Sequence, residues 1–423
     1  MITAAQQAAG GHAERVNWWL LALLVASCCI NYIDRGNLSI AAPQLAQELS
    51  LGPKQLGLLL SAFFWTYAAF QLVSGFLVDH FDVYRVFGAG FFLWSVATAL
   101  TGFIGSFGAL FALRLLLGVG ESIAYPAYSR MLASDFPERN RGIANALIDA
   151  GSKTGPALGT LIGGLVIARW GWRALFFALG FGAFLFLPPW FLSIPRYQTR
   201  FAVAQRQDGG PGFLEIVRVR AAWGTFIGLF AGNYVWYFLL TWLPSYLVME
   251  RHYSIRAMAI YGSLPFWGIA VSSIFGGWLS DRLIARGGTP TRVRKSFAVS
   301  GLLLCTLLLP AAMVPDMQLS MALLIVACLS FGLFTSNLWA ITQTLAGPQA
   351  AGKWTGIQNG IGNLAGIAAP FLTGVIVSRT GSFLLAFVAV FFILLLGALA
   401  YLVLVGKVEQ VAWRPRAAAQ PAS

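Results

Sequence analysis

A chain of 423 residues carries a net charge of +13, which in a soluble protein would suggest a nucleic-acid partner. Only 10% of its residues are charged and 58% are hydrophobic, with a mean hydropathy of +0.73; ordinary soluble domains are about 25% charged. This composition excludes a soluble fold, and the placement of the arginines excludes a nucleic-acid binder.

Residues 1–16 are short and polar. The run from Trp18 to Ala42 is too long for the roughly 7–15-residue core of a signal peptide and is expected to be an uncleaved first span. Asp34 and Arg35 stand side by side inside it, and a charge at bilayer depth costs a few kcal/mol on the most lenient scales. Apolar runs follow at 55–78, 86–107, 108–131, 142–168, 174–194, 221–247, 257–280, 296–314, 319–344, 354–377 and 382–405. Together they predict about twelve helices, each able to cross roughly 30 Å of hydrocarbon. The fourth run carries Arg114 and Glu121, and the fifth carries Asp149 and Lys153. Cys28, Cys29, Cys305 and Cys328 all fall in apolar runs, with neither zinc spacing nor a disulfide framework, and read as small buried residues. No cofactor or metal is expected.

With the N-terminus inside, the connections on the opposite side hold only Lys54, Arg169, Arg173, Arg251, Arg256 and Arg379; the remaining loop arginines and lysines lie on one face. The positive-inside rule places that face, with both termini and the long middle loop, in the cytoplasm. The basic excess is thus a topology signal, and no nucleic-acid partner is expected.

The stretch 195–220 interrupts the apolar pattern and divides the chain into an N-terminal six-helix bundle, 1–194, and a C-terminal bundle with a tail, 221–423. The halves repeat. Asn31-Tyr32 returns as Asn233-Tyr234, Phe64-Trp65 as Phe266-Trp267, and Gly75 with Asp79 as Gly277 with Asp281, each 202 positions on. Parallel half-repeats of this kind are a secondary-transporter architecture. The sequences GFLVDHFDVYR (Gly75, Asp79, Arg85) and GWLSDRLIAR (Gly277, Asp281, Arg282) resemble the signature loop of the major facilitator superfamily. Its glycine is read as allowing close helix approach, and the loops are assigned to gating. Asp82 stands where a glycine is customary, and His80 and Tyr84 replace basic residues.

Four stretches narrow the resemblance: NYIDR from Asn31, RLLLGVGESIAYP from Arg114, FPERNRG from Phe136 and GKWTGIQNGIGNLAG from Gly352. Together they resemble the anion:cation symporters of that superfamily. The resemblance implies an all-α membrane protein of twelve helices in two pseudo-symmetric six-helix bundles. It further implies proton-coupled import, by alternating access, of an organic anion such as a hexonate, hexuronate or hexarate, in a bacterial inner membrane. Its partners would be a small carboxylate, protons and the lipid bilayer, and the chain is expected to be a monomer. A second reading is a proton-coupled exporter or antiporter of amphipathic or aromatic compounds. An enzyme is excluded, since there is no His pair, nucleophile elbow or nucleotide loop.

Counting about 1.5 Å per residue from the cytoplasmic ends sets Asp34, Arg35 and Arg114 roughly 24 Å deep. Glu121, Lys153, Tyr67, Asn233, Trp267 and Asn363 then fall near the midplane, at about 13–20 Å. The resemblance assigns proton roles to Asp34 and Glu121 and the substrate carboxylate to Arg35, whose planar fork suits bidentate pairing. Arg35 is expected to be shared between Asp34 and an incoming carboxylate, and Arg114 to face Asp34 or Glu121. Lys153 is either a second anion anchor or half of an i,i+4 pair with Asp149. Tyr67, Ser152 and Asn363 match polar substrate positions. Asn233, Tyr237 and Trp267 complete the expected lining, Tyr237 being the repeat partner of Arg35.

Overall fold

The computed structural model describes residues 17–136, 138–193 and 211–413. Residues 1–16, the last ten and most of the 195–220 linker lie outside the described residues.

The described chain is helical. In order come α1 (Trp18–Glu48), α2 (Pro53–His80), α3 (Val83–Thr101), α4 (Phe107–Asp135), α5 (138–170) and α6 (Trp172–Ser193). After the short helix Phe213–Val217 follow α7 (Arg220–Glu250), α8 (Ile255–Ala285), α9 (Pro290–Met313), α10 (Met317–Gly347), α11 (Gln349–Thr380) and α12 (Leu384–Leu404). The starts are written locally. Asn17 accepts from the Leu20 amide at 3.1 Å, Asp82 accepts from the Tyr84 and Arg85 amides, and Pro53 and Pro290 occupy first-turn positions that need no donor. Asp82, the departure from the signature loop, is therefore the N-cap of α3.

Among the described residues ten helices are long and apolar enough to cross a membrane, and α2, bent by 47° between Gln71 and Val73, makes an eleventh if taken as one span. The twelfth, α5, is more polar, and Asp149 and Lys153 ride on it. It passes through a π-helical turn at Gly159–Gly163 before ending at Trp170. Between α10 and α11 the chain turns at Gly347, whose φ of 64° and ψ of 174° only glycine adopts readily.

Contacts divide the chain into two compact units. The first holds Met1–Ala202, Tyr237–Trp267 and Ile367–Phe383; the second holds Val203–Trp236, Gly268–Gly366 and Leu384–Ser423. In the first, α1 packs along α5, α2 along α4, and α3 along α4 and α6. Lipid is as apolar as leucine, so these helices are held by close packing and hydrogen bonds. Phe91 stacks on Phe186 at 4.3 Å, and Trp190 donates its indole N–H to the Tyr84 carbonyl at 3.0 Å. Segments of α7 and α11 join the same unit: Ser39 Oγ donates to the Leu240 carbonyl, and the Trp242 indole to the Pro370 carbonyl.

The second unit has its own hydrogen-bonded frame. Ser280 of α8 bonds Asn337 of α10 at 2.7 Å, and Thr342 of α10 bonds Gln358 of α11 at 2.9 Å. Lys295 of α9 caps α12 by donating to the carbonyls of Leu402, Val405 and Gly406. The segment after α12 then runs beside the α10–α11 turn, with Val411 N bonded to the Leu345 carbonyl and the Trp413 indole to that of Ala346.

Candidate functional site

Two glycines build the site. On α4, Gly118 lies so close to α2 that a Cβ there would sit 2.3 Å from the Phe63 carbonyl oxygen, and Gly120 meets the Trp94 amide of α3 at 2.9 Å. This wedges α4 between α2 and α3 and carries Glu121 into the interior. The regular α-helix stops at Glu121, and Ser122 begins a turn, its hydroxyl bonded to Ser74 of α2 at 2.7 Å.

Arg35 of α1 meets Glu121 there: Nε donates to Oε2 at 2.9 Å, with side-chain exposures of 2% and 0%. The guanidinium lies over three rings, 4.5 Å from the centroid of Tyr67, 4.6 Å from Tyr32 and 5.3 Å from Phe63. Phe63 and Tyr67 stack on each other at 5.2 Å. Arg35 Nη2 and Glu121 Oε1 have no hydrogen-bond partner among the described residues. A buried ion pair resists loss of either member, because the survivor is left as an uncompensated charge. An unpaired donor edge on such a cation is where an anion gains most.

Asp34 does not share Arg35, contrary to the expectation. Adjacent residues on a helix point about 100° apart, so the two side chains leave α1 in different directions. Asp34 Oδ1 accepts from Asn37 Nδ2 at 3.2 Å, and Arg114 Nη2 donates to Asn37 Oδ1 at 2.6 Å. Arg114 faces both acids electrostatically, reaches Asp34 through this amide, and makes no ion pair among the described residues. Asp34 Oδ2 is without a partner there.

On α5, Lys153 Nζ bonds Asp149 Oδ1 at 3.2 Å, and Ser152 Oγ donates to the Asp149 carbonyl at 2.6 Å. The i,i+4 pair is therefore formed, with Lys153 mostly covered and Asp149 61% exposed. Gly155 presses this helix onto α1 at Tyr32. Tyr237 reaches the Arg35 cluster: its ring is 4.4 Å from Phe64, and it interacts electrostatically with Arg35, Tyr32 and Tyr67. Trp267 is half-buried in the first unit; Asn233 and Asn363 are half-buried in the second.

In the loop copies, Asp79, Arg85, Asp281 and Arg282 are exposed. The Arg282 guanidinium lies 5.1 Å from the Trp278 ring centroid, and Tyr84 donates its hydroxyl to Asp135, tying the first loop to the end of α4. The close-approach reading of the loop glycines does not hold. A Cβ on Gly75 meets nothing within 4 Å and one on Gly277 only Ser336 at 3.9 Å, whereas the tight contact is at the neighbouring Gly276. The sequence reading also passed over Tyr32, Phe63 and Asn37. Tyr32 and Asn37 lie one helical turn from Arg35 and Asp34, a spacing that could have singled them out.

This is the architecture and the buried-charge pattern of a membrane transporter. The chain belongs to the Major Facilitator Superfamily, whose model matches residues 24–370, and it is a transporter, not an enzyme. Among its relatives, a probable galactarate/D-glucarate transporter of Bacillus subtilis is 30% identical over 95% of this chain and 94% of the relative. A probable sulfoacetate transporter of Cupriavidus necator is 32% identical over 90% and 92%, and a D-galactonate transporter of Escherichia coli 28% over 94% and 97%. The fold matches that of a bacterial homologue of the human lysosomal transporter Spinster, with a TM-score of 0.78 at 18% identity, over 91% of this chain and 96% of that one.

Proposed function

We propose that this chain imports a sugar acid together with protons by alternating access, in a bacterial inner membrane with both termini cytoplasmic. One observation carries the reading: the buried cation Arg35 is paired with the buried acid Glu121, while its Nη2 has no hydrogen-bond partner among the described residues. A proton on Glu121 weakens its claim on Arg35, and the freed fork accepts a carboxylate. When the anion leaves, Glu121 must lose its proton to take Arg35 back. The substrate carboxylate and the Glu121 carboxylate compete for one guanidinium, so the anion binds where the proton has bound Glu121, and that couples them.

Tyr67, Tyr237 and Tyr32 wall the cation and offer hydroxyls to a polyol, while Ser152 and Lys153 stand ready for a second carboxylate or a hydroxyl. Asn233, Trp267 and Asn363 enter this reading from the sequence alone. The exposed loop residues Asp79, Arg85, Asp281 and Arg282 are assigned to gating. The relatives named for galactarate, D-glucarate and D-galactonate support the substrate class. Uptake of radiolabelled D-glucarate, galactarate and D-galactonate into vesicles, with and without an uncoupler, tests it. Uphill accumulation that the uncoupler abolishes is the expected result. Accumulation insensitive to uncoupler, or proton-driven efflux of aromatic compounds instead, would overturn it.

A further inference from the structure

The hydrogen bonds around Asp34 contain an instruction that proton coupling by itself does not require. Arg114 has donors only, so the Asn37 atom 2.6 Å from its Nη2 has to be the amide oxygen. The Asn37 nitrogen is thereby turned to Asp34 Oδ1, at 3.2 Å. All three groups are buried, with Asn37 and Asp34 at 1% exposure and Arg114 at 4%. One carboxylate oxygen is held as an acceptor; the other, Oδ2, is buried without a partner among the described residues.

We infer that Asn37 is a positioning residue: it keeps Arg114 one amide away from Asp34 and leaves Asp34 Oδ2 as the oxygen that takes the proton. The charged groups facing Asp34 are Arg114 and Glu121, both from α4; the neutral polar groups beside it are Asn37 of its own helix, which is hydrogen-bonded to it, and Thr98 of α3, which is not. Arg35, next in the chain, is turned to Glu121. Direct contact with a guanidinium would favour Asp34 as a carboxylate and make its proton harder to take up. The spacer lets Arg114 polarise the amide without neutralising the acid. The inference deepens the symport reading, and rests on it only in giving Asp34 a proton to carry.

Infrared titration of the purified full chain in lipid follows the protonated-carboxyl stretch, with Asp34→Asn identifying the band. Asn37→Ser shortens the spacer and admits Arg114, so the midpoint of the band falls by roughly 1–3 pH units. Asn37→Asp keeps the contact with Arg114 but sets a second acceptor against Asp34, so the midpoint rises. Opposite shifts are the signature; a merely structural asparagine would give lower thermal stability with an unmoved midpoint in both variants. Midpoints that stay put or move together, or an Asp34→Asn spectrum that loses no band, would overturn the proposal. Midpoints that move as expected, while D-glucarate uptake ignores the pH gradient, would leave Asn37 its role and remove the symport reading.

Discussion

Gly57 of α2 and Gly374 of α11 meet backbone to backbone. A Cβ on Gly57 would lie 2.9 Å from the Gly374 Cα, and one on Gly374 would lie 2.8 Å from the Gly57 Cα. The Pro370 and Pro53 carbonyl oxygens close the contact on either side, at 2.7 Å and 2.6 Å from the same positions. Because packing brings helices together in a bilayer, these glycines set how near α2 and α11 can come. Gly57→Val and Gly374→Val are each expected to slow uptake about tenfold or more, since no flexible side chain is there to give way. Transport rates measured beside thermal unfolding separate a transport defect from a folding defect.

Glu121→Gln keeps the size of the side chain but removes the proton exchange and the ion pair with Arg35. Substrate exchange down its own gradient is expected to persist, and uphill accumulation driven by a pH gradient to disappear. Counterflow and gradient-driven uptake, run on the same vesicles, give the two readings. Retention of both at wild-type rates would return the pair to a purely structural role.

Arg35→Lys preserves charge and loses both the fork and the flat face that lies over Tyr32, Phe63 and Tyr67. The expected result is a KM for the sugar acid raised roughly tenfold to a hundredfold. A KM within twofold of wild type would show that the plane of the guanidinium is not used.

Asp149→Asn removes an i,i+4 partner whose carboxylate is 61% exposed. Such pairs contribute about 0.5 kcal/mol or less, so the melting temperature is expected to change little. Comparing it with Lys153→Ala decides what Lys153 does. A KM raised by Lys153→Ala alone assigns the ammonium to substrate, and equal small effects in both leave only the pair.

Gly347→Ala strikes the α10–α11 turn twice. Alanine disfavours a φ of 64° with a ψ of 174°, and its Cβ would fall 2.3 Å from Gln410 Nε2. A loss of roughly 1–3 kcal/mol is expected, seen as a lower melting temperature. Adding Gln410→Ala relieves the clash but not the backbone, so the double variant should recover only part.

The helices were legible because apolar runs of spanning length announce themselves, and even α5 was found despite its charges. Glu121 and Arg35 could also be singled out, since buried charge is rare. Their pairing could not. Neighbours in sequence look like partners, yet the turn of α1 sends Asp34 toward Asn37 and Arg35 toward Glu121. The aromatic cage was hidden for another reason: Phe63 is one of 33 phenylalanines, and only the approach of α2 to Gly118 selects it. The loop glycines failed for the reverse reason, a motif suggesting contact where the helices leave open space.

The strap after α12 also bears on how the protein is made. The carbonyls of Leu345 and Ala346 at the α10–α11 turn take their hydrogen bonds from Val411 and Trp413, the latter 67 residues further along. Lys295 likewise waits more than a hundred residues for the carbonyls of Leu402, Val405 and Gly406. During synthesis, α9, α10 and α11 therefore enter the membrane with this turn unfastened, and it is completed only after α12 has been translated. A chain stopped between residues 404 and 410 would contain every described helix and still lack the bonds from Val411 and Trp413.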